Sequence, residues 1–118
     1  MLRSAFETAR SGMAAEALRV EVAAKNIANA SSQDYVPQRV EQSSLANGAG
    51  VRTEVRPVTN NIPATGNGVD LVREATTLMQ AQAAYAANIA VIEAVDNMTQ
   101  SLFDMVDDSR RERDERYI

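Results

Sequence analysis

Residues 69–106 read VDLVREATTLMQAQAAYAANIAVIEAVDNMTQSLFDMV. Leu71, Leu78, Tyr85 and Ile92 recur every seven residues, with Ala81, Val95 and Leu102 in the adjoining positions. Val91, Met98 and Met105 widen the stripe further along. Seven-residue recurrence places side chains on one face of an α-helix. The pattern predicts a helix over 69–109, about 60 Å long at 1.5 Å per residue. Asp70 is read as its starting residue, because a carboxylate there can cap free N–H groups and meets the positive end of the helix dipole.

The other end of the chain carries a matching pattern. Over residues 2–30, Phe6, Met13, Val20 and Ile27 recur every seven, with Ala9, Ala17 and Ala24 beside them. This predicts a second helix of roughly 45 Å. Gly12 falls inside it, where glycine costs about 1 kcal/mol relative to alanine; it is read as tolerated rather than as the mark of a close contact. The apolar stripe of the longer helix is broader than one shorter antiparallel neighbour can cover. Part of it must face another chain or stay exposed as a large patch.

Between the helices the composition changes to Ser, Asn, Gly, Thr and Pro. Tyr35–Val40 and Val51–Val58 are strand-like, and the LANGAG between them contains an Asn-Gly pair suited to a tight turn. Pro37 and Pro57 confine these runs to edge strands or extended chain. A two-stranded hairpin is marginal alone, so it needs a surface to lie on. NNIPATGNG (60–68) reads as a loop. The expected fold is mainly α: long terminal helices packed as an antiparallel, coiled-coil-like pair with a short extended or β-hairpin insert. The divisions are 1–32, 33–68 and 69–118.

Composition narrows the function. There are no Cys and no His. That removes disulfides, thiolate nucleophiles, the usual zinc ligands and histidine acid–base chemistry. A net charge of −4, with Lys25 the one lysine, gives no basic patch for nucleic acid. Asp107 and Asp108 form an acidic pair without an organised third and fourth ligand, so no metal is expected. No nucleophile–base set, phosphate loop or cofactor motif is visible. The expectation is a non-enzyme with no cofactor, no small-molecule substrate and no nucleic-acid partner. The chain holds two Phe, three Tyr and no Trp, which makes a poor core at this size. An assembly subunit, whose helices complete each other's burial across chains, fits that shortage. No run approaches the ~20 apolar residues that span a bilayer. Arg3, Glu7, Arg10, Glu16 and Arg19 interrupt any signal-peptide core.

Asn26 and Asn29, around Ile27, admit two readings. Asparagine can end a helix in the left-handed conformation, or its amide can be hydrogen-bonded in a buried joint. Asn88 stands in the row Ala81, Val95, Leu102, where an apolar residue is expected. A polar residue in a helix seam fixes register at some expense in stability, and Asn88 is expected to do so against the Asn26–Asn29 end. Tyr85 is read as packing. The charged end DDSRRERDERYI reads as a solvated helix end, with Asp107–Arg111 and Glu112–Arg116 at i,i+4 spacing.

The stretches ALRVEVAAKNIANASSQDY (17–35) and GVDLVREATTLMQAQAAYAANIAVIEAVDNMTQSLFDM (68–105) together resemble the terminal signatures of the flagellar basal-body rod and hook proteins. The first has the Asn-Ile-Ala-Asn core at a helix end. The second has the Val-Asp-Leu-Val opening and the Gln-Ala-X-X-Tyr-X-Ala-Asn core. With about 38 residues between the helices on this reading, the chain is most similar to the proximal-rod members, whose inserts are small. It departs from the pattern at Asp34, where the family has Gly before Tyr35, in its short insert, and in the charged end beyond Met105. The resemblance implies a structural subunit of the bacterial flagellum's periplasmic rod, the drive shaft that transmits torque. It implies export by the flagellar type III apparatus without a cleaved signal peptide. Its implied partners are other rod subunits, copies of itself and the membrane-ring base. The assembly interface is then expected on Phe6, Met13, Val20, Asn26, Ile27, Asn29 and Tyr35 of the N-terminal part. On the C-terminal helix it is expected on Leu71, Leu78, Tyr85, Asn88, Ile92, Val95 and Leu102. A divergent rod paralogue, or a cytoplasmic helical adaptor that binds a partner helix, are the alternatives.

Overall fold

The computed structural model describes residues 1–60 and 67–117. The centre of the expected 60–68 loop, residues 61–66, and the terminal Ile118 lie outside the described residues. Helix α1 (Leu2–Ala28) is followed by β1 (Gln38–Ser44), a tight turn (Ala46–Gly48), β2 (Val51–Pro57) and helix α2 (Leu71–Arg116). The two helices pack side by side, and the strands form an antiparallel hairpin between them in sequence.

Alanine-rich composition and the seven-residue rows make the helices long. Asp70 caps α2, its carboxylate accepting from the N–H groups of Val72 and Arg73 at 3.1 and 3.2 Å. The pairing of the helices is antiparallel. Gly12 faces Asn88, Arg19 Nη2 donates to Gln80 Oε1 at 3.4 Å, and Asn26 lies beside Glu74. With 27 residues in α1 and 46 in α2, the shorter helix runs out first. From Gln100 to its end, α2 is exposed on every side. The molecule measures 85 × 25 × 14 Å.

The hairpin differs from the sequence expectation in its first strand. Tyr35 and Pro37 precede β1 instead of opening it, and pairing extends through Ser43 and Ser44. The cause is the turn. Asn47 (φ 61°) and Gly48 (φ 67°) both take the left-handed conformation that a tight Asn-Gly turn demands, and this fixes Ser44 opposite Val51. The hairpin lies on α1. Thr8 Oγ1 donates to Gly48 O at 2.8 Å, and Ser11 Oγ accepts from Val51 N at 2.8 Å. Gly50, at φ +114°, comes so close to Ser11 that a β-carbon there would lie 2.6 Å from its hydroxyl.

The seam between the helices also differs from the expected rows. Its buried side chains are small or polar: Ala9, Ala15, Val22, Ala23 and Asn26 with Glu16 on α1, Ala81 and Glu74 on α2. Phe6 and Ile27 are exposed, Met13 and Val20 half-buried. Leu71 is 53 % exposed, Tyr85 sits at the seam's edge, and Leu102 lies beyond the reach of α1. Small residues let two helix backbones approach closely, which turns the large apolar side chains outward. Gly12 is part of that approach: a β-carbon on it would meet Asn88 Nδ2 at 2.7 Å. It marks a close contact, contrary to the reading from sequence.

Candidate assembly site: a polar joint and two open apolar rows

Asn26 is the centre of the joint. It is 0 % exposed, on the last turns of α1, where Asn29 ends the helix. Its Oδ1 accepts from Tyr35 Oη and from Gln38 N, both at 2.9 Å, and its Nδ2 donates to Gln38 O at 2.7 Å. One amide therefore anchors the first residue of β1 and the tyrosine that precedes it. A buried amide with all these partners is satisfied and geometrically specific.

Asn29 plays a smaller part. Its Nδ2 donates to Lys25 O at 2.9 Å and its Oδ1 accepts from Ser32 Oγ at 3.1 Å. Its φ of −103° is not left-handed. The left-handed residue is Asp34, at φ +58°. That is the position where the rod-family signature carries glycine, and the backbone shows the physical reason. Asparagine and aspartate enter this region more readily than other side chains.

The entry to α2 closes the joint. Asn67 Nδ2 lies 2.7–3.0 Å from the carbonyl oxygens of Asn29, Ala30 and Ser32, while Val69 N donates to Asn67 Oδ1. Glu74, on the first turns of α2, is buried beside Asn26. Burial raises its carboxyl above the ordinary carboxylate range, opposed by the hydrogen bond from Asn26 and by nearby Arg73. Burial, and then the charge of Glu74, raise the Tyr35 hydroxyl as well. Next to this cluster a cleft of about 190 Å³ is lined by Arg19, Arg39, Arg73, Asp70 and Glu74 among others. A second polar chain crosses the middle of the pair. Gln42 donates to Glu16 at 3.3 Å, and Glu16 bridges Arg19 at 3.0 Å.

Asn88 is not near Asn26 or Asn29. It sits at mid-helix against Gly12, its Nδ2 donating to Ala84 O at 3.1 Å. The expectation that it meets the Asn26–Asn29 end fails because the antiparallel register sets Glu74 there instead. Of the other residues singled out by sequence, Leu78, Ile92 and Val95 are half-buried toward α1, and Tyr35 is in the joint. Phe6, Ile27, Leu71, Tyr85 and Leu102 remain accessible.

Two apolar surfaces are left open. On one, Ala17 and Val20 of α1 with Ala81, Gln82, Tyr85, Ala86 and Ile89 of α2 border a mostly apolar groove of about 420 Å³. On the other, Leu102, Phe103 and Met105 project from the part of α2 that outruns α1, and Val91 and Met98 are exposed on the stretch just before it. The terminal turns of α2 hold the expected Asp107–Arg111 pair at 2.9 Å, whereas Glu112 and Arg116 make no ion pair with any described residue. Among the described residues no group of three His, Cys, Asp or Glu side chains could hold a metal. None of the described helices is long and apolar enough to cross a membrane.

Thr8, Ser11, Glu16, Asn67 and Glu74 hold the hairpin, the seam and the joint together, and the sequence does not single them out. Asn67 carries one usable signal, its place just ahead of the Gly-Val-Asp helix start. The rest look like ordinary polar positions on a helix surface until the hairpin and the second helix are placed. Two family models match the chain: "Flagella basal body rod protein" over residues 6–33, and "Flagellar basal body rod FlgEFG protein C-terminal" over residues 65–105. Together they take in more than half of the chain, in order, and each falls at its own terminus. No curated protein matches.

Proposed function

Since this chain belongs to the flagellar basal-body rod protein family, we propose that it is a structural subunit of the proximal rod, polymerising through its terminal helices into the torque-transmitting shaft. The observation that carries this reading is the arrangement of the matched segments. They pack against each other as one two-helix unit, yet leave large apolar side chains of both helices uncovered. A monomer gains nothing from such rows; a helical assembly buries them. The proximal position is supported by the small size of the insert, about 38 residues on the sequence pattern, the feature in which the chain is most similar to the proximal-rod members. The partners proposed are copies of the same chain, other rod subunits, the membrane-ring base and the flagellar type III export apparatus. The place proposed is the periplasmic rod, reached without a cleaved signal peptide.

The test is deletion of the chain in its source bacterium, followed by imaging of isolated basal bodies. The expected result is a membrane ring with the rod absent or stopped at its base. A complete rod and hook in the deletion strain overturns the reading, leaving a redundant paralogue or a cytoplasmic adaptor.

A further inference from the structure

The chain contains the dipeptide Asn-Gly twice, as Asn47-Gly48 and Asn67-Gly68. Both pairs have the same intrinsic chemistry. The asparagine amide carbon can close a five-membered ring with the main-chain nitrogen of the next residue. Glycine leaves that nitrogen unshielded and lets the backbone turn freely, because it has no side chain. The fold puts the two pairs in opposite settings.

Asn47 and Gly48 are both exposed, at the tip of the hairpin. The Asn47 amide has no hydrogen-bond partner among the described residues. A β-carbon on Gly48 would meet no described atom within 4 Å, so the tip is not packed against the rest of the chain. It is tied down by Thr8 Oγ1 on Gly48 O at 2.8 Å and, within the turn, by Ala49 N on Ala46 O at 3.3 Å. An exposed tip held this lightly opens at small cost in free energy. Asn67 is enclosed instead. Its Nδ2 lies 2.7–3.0 Å from the carbonyl oxygens of Asn29, Ala30 and Ser32, and its Oδ1 accepts from Val69 N at 3.1 Å. Ring closure there has to pull the amide away from all four groups at once, which opens the joint.

We propose that Asn47 is a site of spontaneous modification, passing through a cyclic imide to aspartate and isoaspartate, that Asn67 is shielded from the same reaction, and that conversion unfastens the hairpin tip from α1. The backbone of Asn47 (φ 61°, ψ 27°) must rotate out of the turn before the reacting atoms meet, so the reaction runs through the opened tip. The Gly48 nitrogen attacks Asn47 Cγ, a C–N bond forms, and the side-chain nitrogen leaves as ammonia with the displaced N–H proton. Water then reopens the imide. Cleavage of the bond from the Gly48 nitrogen to Cγ gives aspartate; cleavage of its bond to the main-chain carbonyl carbon gives isoaspartate. Water is the co-reactant, and nothing is oxidised or reduced. Isoaspartate carries Cβ in the main chain and lengthens the turn by one atom, and either product adds a negative charge. The lengthened turn no longer sets Gly48 O on Thr8 and Val51 on Ser11. Gln38, at the opposite end of the hairpin, keeps its bonds to Asn26. The proposal does not depend on the rod-subunit reading.

The full-length chain is held at neutral pH and body temperature, and samples are digested with trypsin over several weeks. Cleavage at Arg39, Arg52 and Arg73 places the two pairs in different peptides, and mass spectrometry reads aspartate and isoaspartate at each. The expected result is conversion at 47 at least tenfold faster than at 67. In a parallel sample unfolded in urea the two rates come within about threefold, because the protection at 67 belongs to the fold. Thr8→Val speeds conversion at 47 at least twofold and leaves 67 unchanged. Hydrogen exchange on the converted chain shows the Val51 N–H losing protection while the Gln38 N–H keeps it. Equal rates in the folded chain, faster conversion at 67, or a ratio unchanged by urea overturns the assignment of the two sites. An unchanged Val51 N–H in the converted chain overturns the unfastening.

Discussion

At the start of α2, Glu74 is buried, Asp70 caps the helix and Asn67 lies against three carbonyl groups of the turn that ends α1. At the far end of the same helix, Leu102, Phe103 and Met105 stand in solvent. The usual distribution is inverted: polar groups inside, large apolar groups outside. The joint is built from hydrogen bonds, which contribute modest net stability but demand one geometry. The distal half holds apolar area in reserve, and that area is what drives association. Geometry is specified at one end of the helix, and apolar area is left uncovered at the other.

The strongest way to break the contrast is Asn26→Ala. It strips partners from Gln38 N–H, Gln38 C=O and Tyr35 Oη in a buried site, and the expected loss is about 3 kcal/mol. Urea unfolding followed by circular dichroism reads it. Leu102→Ala, by the same measurement, changes stability by less than about 0.5 kcal/mol. A Leu102 effect as large as that of Asn26 would erase the distinction between the ends.

The seam between them is probed by Gly12 and Asn88. Gly12→Ala gains helix propensity of about 1 kcal/mol but drives the new methyl into Asn88. The single variant is expected near neutral or destabilised. In an Asn88→Ala background the same change stabilises, with a coupling of about 1 kcal/mol in the double-mutant cycle. Additive effects would remove the close contact.

A smaller effect tests the joint's charge. The raised Glu74 carboxyl means that the folded chain holds this proton more tightly than the unfolded chain does. Its contribution to stability is therefore full below the unfolded value of about 4.5 and is lost as pH rises through the higher folded value. Glu74→Gln is expected to raise the melting temperature at neutral pH by a few degrees. The gain shrinks as the sample is acidified toward the ordinary carboxylate range. A constant gain at all pH values contradicts the assignment. The smallest effect belongs to truncation after Met105: the removed turns are exposed on all sides, so unfolding of the remainder shifts by less than about 0.5 kcal/mol.

Much of the fold is legible in the residues. The seven-residue rows mark both helices, Asp70 marks the start of the second, and Asn47-Gly48 marks the turn of a hairpin that needs a surface. The seam is harder to read. Large apolar rows are the loudest signal in a sequence, but a two-helix contact is closest where the residues are smallest, so Ala9, Ala23 and Ala81 take the interior. Asn88 is recognisable as out of place in an apolar row, but its partner is not. A seven-residue pattern looks the same after a shift by seven, and only the built structure distinguishes Gly12 from Asn26. The backbone at Asp34 is marked in advance by its departure from the family's glycine. The polar joint residues Asn67 and Glu74 give little sign of burial, because a carboxylate or amide near a helix start is ordinarily solvated.

The hairpin is fastened to α1 through Gly48 O and the main-chain atoms of Val51, which Thr8 and Ser11 grip with their hydroxyls. Main-chain atoms are the same whatever side chains the strands bear. Apart from Gln42, whose side chain donates to Glu16, this fastening places little demand on the residues of β1 and β2 beyond Gly48 of the turn and the close approach at Gly50. The outward face of the hairpin is free to drift in composition, or to be rebuilt for a different neighbour, while the serine and threonine hydroxyls keep it in place. In this molecule the part most open to evolutionary change is attached by the part least sensitive to it.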